Sequence, residues 1–368
     1  MNSITAWFQR YFSDPQVVFL TVSLAVLFLL IVFFGGTLAP VLASLILAYL
    51  LEGLVGAMER RHVPRPIGAS LVIIGLVLVM LFVVLGLAPL LSKQVTQLFQ
   101  QVPEMIKQGS ALLMTLPEQY PNLFSRQQVE DILAGVGDDL GAVRQQIVQR
   151  TLSVGVGLLT ALVYLVLMPV LVFFFLKDKD LILAWFGRFV PRDYALAARV
   201  WRDVDEQVGN FVRGKFWEVI IVWAGTTIVL AMLGLNYAIL LGALVGLSVL
   251  IPYIGAALVT VPVALIAYFQ WGWSSEMAWV VLAYGVIQFL DGNVLVPLLF
   301  SEVVNLHPVA IIVAILFFGG VWGFWGIFFA IPLATLVSAL ITAWPRPPAP
   351  EEEDAAEGEA GPAGNEGA

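Results

Sequence analysis

Apolar residues come in long runs along this chain, and polar residues gather between the runs instead of alternating with them. A helix needs about 20 apolar residues to cross a bilayer. By that measure residues 17–34, 37–51, 67–91, 152–176, 219–233 and 278–300 are single-segment candidates. The first two are short and meet at Gly35-Gly36, which predicts a tight hairpin. Run 17–34 exceeds the roughly 7–15 apolar residues of a signal-peptide core, and Pro40 follows its small-residue exit, so it reads as a retained helix.

Two further stretches are apolar but broken. Residues 235–270 are interrupted at Ile251-Pro252-Tyr253-Ile254-Gly255, and residues 306–342 at Gly319-Gly320 and again at Gly323 and Gly326. Both lie in a span, Lys215 to Arg346, with no lysine or arginine between its ends. Lipid cannot satisfy free backbone N–H and C=O groups, so such breaks must be buried in protein or face a cavity. Set side by side, Gly255 falls on Gly326, and Pro262 and Pro332 fall within one position of each other. Paired, interrupted segments of this kind point to a transporter's substrate site. They are either four ordinary spans with packing glycines or two inverted re-entrant hairpins.

The connections between runs are patterned too. Residues 92–151 repeat apolar positions at helical spacing (Val95, Leu98, Val102, Ile106), and Pro103, Pro117 and Pro121 predict its division into short amphipathic helices. Residues 180–215 carry Trp185, Phe186, Phe189, Trp201 and Phe211 among basic residues, as an interfacial helix would. Eleven of the 18 basic residues fall in the connection holding Arg60, Arg61 and Arg65 and in that between Lys177 and Lys215. Cytoplasmic loops are enriched in Lys and Arg, which puts both connections and both termini inside and residues 92–151 outside. The resulting division is 1–91 (transmembrane helices), 92–151 (outer helical loop), 152–176 (transmembrane helix), 177–217 (inner interfacial segment), 218–343 (core with the two broken stretches) and 344–368 (disordered acidic tail).

Composition fixes the class. The 368 residues are 60% hydrophobic and 12% charged, and the mean hydropathy is +0.93. Soluble domains carry roughly 25% charged residues, so this is an all-α polytopic membrane protein, with the lipid bilayer as its first partner. The net charge of −8 comes almost wholly from seven acids after Pro350, and no basic patch suggests nucleic acid. The absence of cysteine removes thiolate metal sites and cysteine nucleophiles. With only His62 and His307, no metal or other cofactor is expected. No phosphate-loop context surrounds Gly35-Gly36 or Gly319-Gly320, and no catalytic pattern appears, so the chain does not read as an enzyme.

Asp291 is the candidate for proton or cation coupling. It interrupts an apolar helix at Gln288-Phe289-Leu290-Asp291-Gly292-Asn293, where an acid costs about 2.5–3.5 kcal/mol on insertion scales. Buried without a cation it disfavours its charged form, which suits a proton carrier; near the inner interface it would only tie helices together. Gln288 and Asn293 offer donors and acceptors to a polar solute, and Pro252, Gly255, Gly319, Gly320, Gly323 and Gly326 would line its path. Arg213, Lys215 and Glu218 form either an ion pair or head-group anchor, or a gate, and Asn236 and His307 read as helix-end residues.

Phe173-Phe174-Phe175-Leu176-Lys177-Asp178-Lys179, Asn210-Phe211-Val212-Arg213-Gly214-Lys215, Leu250-Ile251-Pro252-Tyr253-Ile254-Gly255 and Val304-Asn305-Leu306-His307-Pro308 resemble segments of the AI-2E (autoinducer-2 exporter) transporter family. The stretch Asp291-Gly292-Asn293 with Pro297-Leu298-Leu299-Phe300 resembles its PerM-type permease branch. The resemblance implies a bacterial inner-membrane protein of about eight helices, some broken, assembled as a homo-oligomer, a pentamer, and exporting autoinducer-2 in some members. Others are proposed as sodium or lithium/proton antiporters. The expectation is a secondary transporter of a small polar solute, with cation antiport as one alternative and a non-transporting membrane scaffold as another.

Overall fold

A computed structural model describes residues 15–119, 127, 154–188, 195–252, 254–300 and 306–343. The later part of the outer loop, Tyr253 and the acidic tail lie outside these residues, and with them the expectations made for those segments. Among the described residues every regular element is helical. Six helical stretches are long and apolar enough to cross a membrane, and residues 163–177 and 238–248 form shorter apolar helices. The chain is therefore a multi-pass helical membrane protein.

Two compact units divide it, one made of Gly36–Trp185 and Val208–Asn305, the other of Met1–Gly35, Phe186–Gln207 and Leu306–Ala368. Helix α1, Pro15–Glu59, is continuous. The hairpin expected at Gly35-Gly36 does not form. A mid-helix glycine costs about 1 kcal/mol, whereas opening the ladder in lipid strands several polar groups, so the helix carries on.

Helix α2, Arg65–Phe82, passes through a π turn, Val83–Leu87, directly into α3, Ala88–Gln119. Phe82, Leu85 and Leu78 of this rod are 69%, 73% and 61% exposed, as side chains facing lipid would be. Pro103 and Pro117 do not divide it. Tertiary contacts hold α3 before and after Pro103: Gln94 Oε1 accepts from Leu240 N at 2.9 Å, Leu98 packs on the main core, and Phe269 lies against Gly109.

Helix α4, Val154–Lys177, packs on α1 and α2 through Ala48, Val55, Ala69, Val172 and Leu176. Arg65 locks one end of this trio. Its Nε donates to Leu176 O at 2.8 Å, and its guanidinium reaches both oxygens of Glu52 at 2.9 Å and Glu59 at 3.2 Å. Lys179 completes the group by pairing with Glu52 at 3.2 Å. The two basic connections identified in the sequence thus meet at the same end of the bundle.

After α5, Lys179–Gly187, helix α6, Ala195–Met232, carries the amphipathic inner segment straight into an apolar span. Helix α7, Ala238–Ser248, then folds back along α6. Gly242 and Gly246, one turn apart, make this crossing close: a Cβ on Gly242 would stand 2.1 Å from Thr227 Oγ1, and one on Gly246 would stand 2.7 Å from Trp223 Cβ. Small residues four apart are a common device for close helix contact in membranes.

Helices α7 and α8, Ile254–Trp271, form the first broken stretch. Gln270 closes the base, accepting from Asn236 N at 2.9 Å and donating to Gly234 O at 2.8 Å. With 11 residues α7 is about 16 Å long, roughly half a bilayer crossing, whereas the 18 residues of α8 are enough to cross one, and the two arms fold into a hairpin. Its tip is tight. A Cβ on Gly255 would stand 1.8 Å from Ser248 O. Helix α9, Ser275–Leu290, capped by Ser274, then passes through a π turn at Asp291–Leu295 into α10, Val296–Phe300.

The second unit holds α11, Pro308–Ala343, which breaks at Gly323 (φ 60, ψ −135). Positive φ is open to glycine and strained for other residues. The chain reverses there: a Cβ on Gly326 would stand 1.8 Å from Phe318 O, and one on Gly319 would meet Ile327. Trp322, Trp325, Phe328 and Phe329 stack around the return.

These contacts predict that Gly255→Ala and Gly326→Ala each destabilise the protein by about 1–3 kcal/mol through overpacking at a hairpin return. Gly285→Ala and Gly320→Ala, where the added Cβ meets nothing within 4 Å, are expected to be tolerated. Melting of the detergent-solubilised variants measures the contrast, and equal losses at all four positions would refute it.

Candidate functional site

The tip of the first hairpin, the middle of α6 and the π turn after α9 converge on one buried charged group. Lys215 and Glu218, one turn apart on α6, are only 5% and 2% exposed. Lys215 Nζ lies 2.7 Å from Glu218 Oε2. That separation makes a close ion pair, and Oε2 has no other partner among the described residues. The ammonium donates instead to Val249 O at 2.7 Å, and it stands 5.3 Å from the centre of the Phe300 ring. Val249 follows the last residue of α7, where helix carbonyls lack intrahelical partners. A cation there satisfies the carbonyl and complements the negative end of the helix dipole.

Asp291 opens the π turn beside this pair. It is within electrostatic reach of both Glu218 and Lys215, and its Oδ1 is buried with no hydrogen-bond partner among the described residues. Single π turns inside helices are frequent at functional sites, because the extra residue re-aims the side chains around it. One ammonium faces two carboxylates, so the fully ionised group carries a single net negative charge inside an apolar bundle.

The other residues singled out in the sequence are placed as follows. Gln288 donates to the Tyr284 hydroxyl, which donates to Ala256 O at 3.1 Å, tying α9 to the start of α8 just past the tip. Asn293 is exposed and donates back to Phe289 O on its own helix at 2.9 Å. Pro252 lies in the tip and Gly255 at its close approach to Ser248. Arg213 points out and bonds Asn210 Oδ1 at 2.8 Å, so it is separate from its buried neighbour Lys215. Lys215 and Glu218 form the ion pair that was one of the expected alternatives, and both are buried. Gly319, Gly320, Gly323 and Gly326 form the return of the second hairpin, and His307 Nδ1 accepts from Val309 N at 3.3 Å at its start. These belong to the other unit.

Sequence reasoning missed the Val249 carbonyl and the Phe300 ring. Its available signal was the Lys215-x-x-Glu218 spacing at the mouth of an apolar run, which already sets the two charges on one helix face.

A helical multi-pass membrane protein with a charged group gathered at a hairpin tip has the makings of a transport protein. Comparison with known proteins agrees. The chain belongs to the AI-2E transporter family: the family described as "AI-2E family transporter" matches residues 21–346. It is 44% identical over 348 residues to "Putative permease PerM" of Escherichia coli (strain K12), covering 94% of this chain and 98% of that protein. It is 26% identical over 316 residues to "Putative transport protein YueF" of Bacillus subtilis (strain 168), covering 84% of each. To "Putative transport protein YhhT" of Escherichia coli (strain K12) it is 23% identical over 306 residues, covering 80% of this chain and 81% of the other.

The buried pair makes a stability prediction. Removing one partner, as in Lys215→Met, strands a buried charge and is expected to cost about 3–5 kcal/mol, whereas Lys215→Met with Glu218→Gln removes both charges and costs less. Thermal unfolding of the two single variants and the double variant checks this, and additive losses would argue against the pairing.

Proposed function

We propose that this protein is a secondary transporter that moves a small polar solute across the bacterial inner membrane, with Asp291 handling the coupling proton or cation. The observation that carries the reading is the buried Lys215–Glu218 pair at the tip of the first hairpin, within electrostatic reach of Asp291. Charges inside a membrane bundle are costly and mark ion or substrate pathways. The first cargo to test is autoinducer-2, which the family resemblance implies for some members. In this reading Gln288 and Asn293 contact the solute, both termini are cytoplasmic, and the protein works as a homo-oligomer.

A second reading has a specific support. Two carboxylates sharing one ammonium leave room for one more positive charge, which favours exchange of sodium or lithium for protons.

The test is flux in proteoliposomes containing a pH-sensitive dye, to which sodium, lithium or autoinducer-2 is added in turn. Asp291→Asn is expected to lower the flux by about tenfold or more while the protein still purifies as the same species. A cation-evoked pH change lost in Asp291→Asn would favour antiport over solute export. Full activity in that variant would remove Asp291 from the mechanism. No flux with any addition would leave another cargo, or the scaffold reading in which residues 180–215 or the acidic tail recruit partners.

A further inference from the structure

We propose that Lys215 is a tethered counter-ion that an incoming monovalent cation displaces, and that its displacement frees the tip of the first hairpin. The proposal rests on the transporter reading above and specifies what opens the site.

Lys215 joins three separate elements at one atom. Its Nζ holds the Val249 carbonyl at the end of α7, the Glu218 carboxylate on α6, and the face of Phe300 at the end of α10. The attachment point is fixed. A Cβ on neighbouring Gly214 would stand 2.6 Å from the Phe300 ring, so at that position α6 lies directly against the ring. A lysine ammonium is a compact charge on a flexible stem, so it can leave one acceptor for another without moving its helix.

The electrostatics supply the switch. The charges acting on Glu218 are those of Lys215 and Asp291, and the charge acting on Asp291 is that of Lys215. Around the pair, α7 contributes the Val249 carbonyl and α10 the Phe300 ring, while Tyr284 of α9 spends its hydroxyl proton on Ala256 O. Arg213 is turned to Asn210. A proton added to Glu218 Oε2, or a sodium-sized ion bound there, neutralises the carboxylate that pins the ammonium. Asp291 is then its remaining anion, with an unpartnered buried oxygen to receive it. Moving towards Asp291 takes Nζ from Val249 O and leaves the α7 terminus without its cation. The end of α7 then loses its side-chain hydrogen bond to α6.

Because the chain has no cysteine, one introduced thiol reports the tip alone. Leu250→Cys in full-length protein reconstituted in liposomes would be labelled with a water-soluble maleimide. One series lowers the pH from about 8 to about 6 with choline as the only other cation, correcting for thiolate content with a free-thiol standard. A second series adds sodium at constant pH and ionic strength. The labelling rate is expected to rise about tenfold in one series or both, and which series responds identifies the cation. In Lys215→Met with Glu218→Gln, which removes the tether together with both charges of the pair, labelling is expected to be fast and to ignore both pH and sodium.

A rate in the parent unchanged by either cation, or a double variant that stays slow or keeps the parent's response, would overturn the proposal. Labelling does not require flux. A tip that responds in liposomes with no transport would sink the transporter reading and leave the displacement standing, and flux with an unresponsive tip would do the reverse.

Discussion

Every backbone N–H and C=O in the hydrocarbon core must find a partner inside the protein, because lipid offers none. Much of this structure follows from how that constraint is met where helices stop. At the first hairpin the turn is closed by Ile251 N donating to Ser248 O at 3.0 Å and Gly255 N donating to Ile251 O at 2.9 Å. Val249 O, at the end of α7, takes its hydrogen from Lys215. Elsewhere the chain avoids stopping. It runs through Gly35-Gly36, Pro103 and Pro117 as helix, and it absorbs extra residues as π turns at Val83–Leu87 and Asp291–Leu295.

The same constraint explains what could be read from the sequence. The two broken stretches were visible because their interruptions lack charge at a depth where water cannot help, and aligning them placed Gly255 on Gly326. Both glycines serve at a return where a Cβ would stand 1.8 Å from a carbonyl oxygen, Ser248 O in one case and Phe318 O in the other. That correspondence was faint as sequence and is plain as geometry. By contrast, Gly35-Gly36 and Pro103 were misread as breaks. Their local preferences point to turns, but lipid in one case and packing of α3 on the first hairpin in the other outweigh a local cost of about 1–3 kcal/mol.

The candidate site was half legible. Asp291, Lys215 and Glu218 stood out as charges beside or within apolar runs, yet nothing in their spacing brings residue 291 to residues 215 and 218. That meeting depends on the π turn and on the fold-back of α7 along α6 at Gly242 and Gly246. Gln288 shows the opposite case. Its amide, read as a solute contact, is engaged with Tyr284 and so supports the start of α8 in this conformation. The apolar bundle is locked at one end by Arg65, Glu52 and Lys179, and it holds a polar locus where a half-length helix ends on a lysine.

The central claim is that this locus opens to water within the membrane and is not merely a buried packing defect. Hydrogen exchange of the reconstituted protein in lipid nanodiscs tests it most directly. The account predicts that amides of residues 249–255 exchange at least about a hundredfold faster than those of residues 71–81 in the lipid-facing α2. Equal protection of the two segments over hours would mean that the tip is sealed in protein, and would contradict a transport path through it.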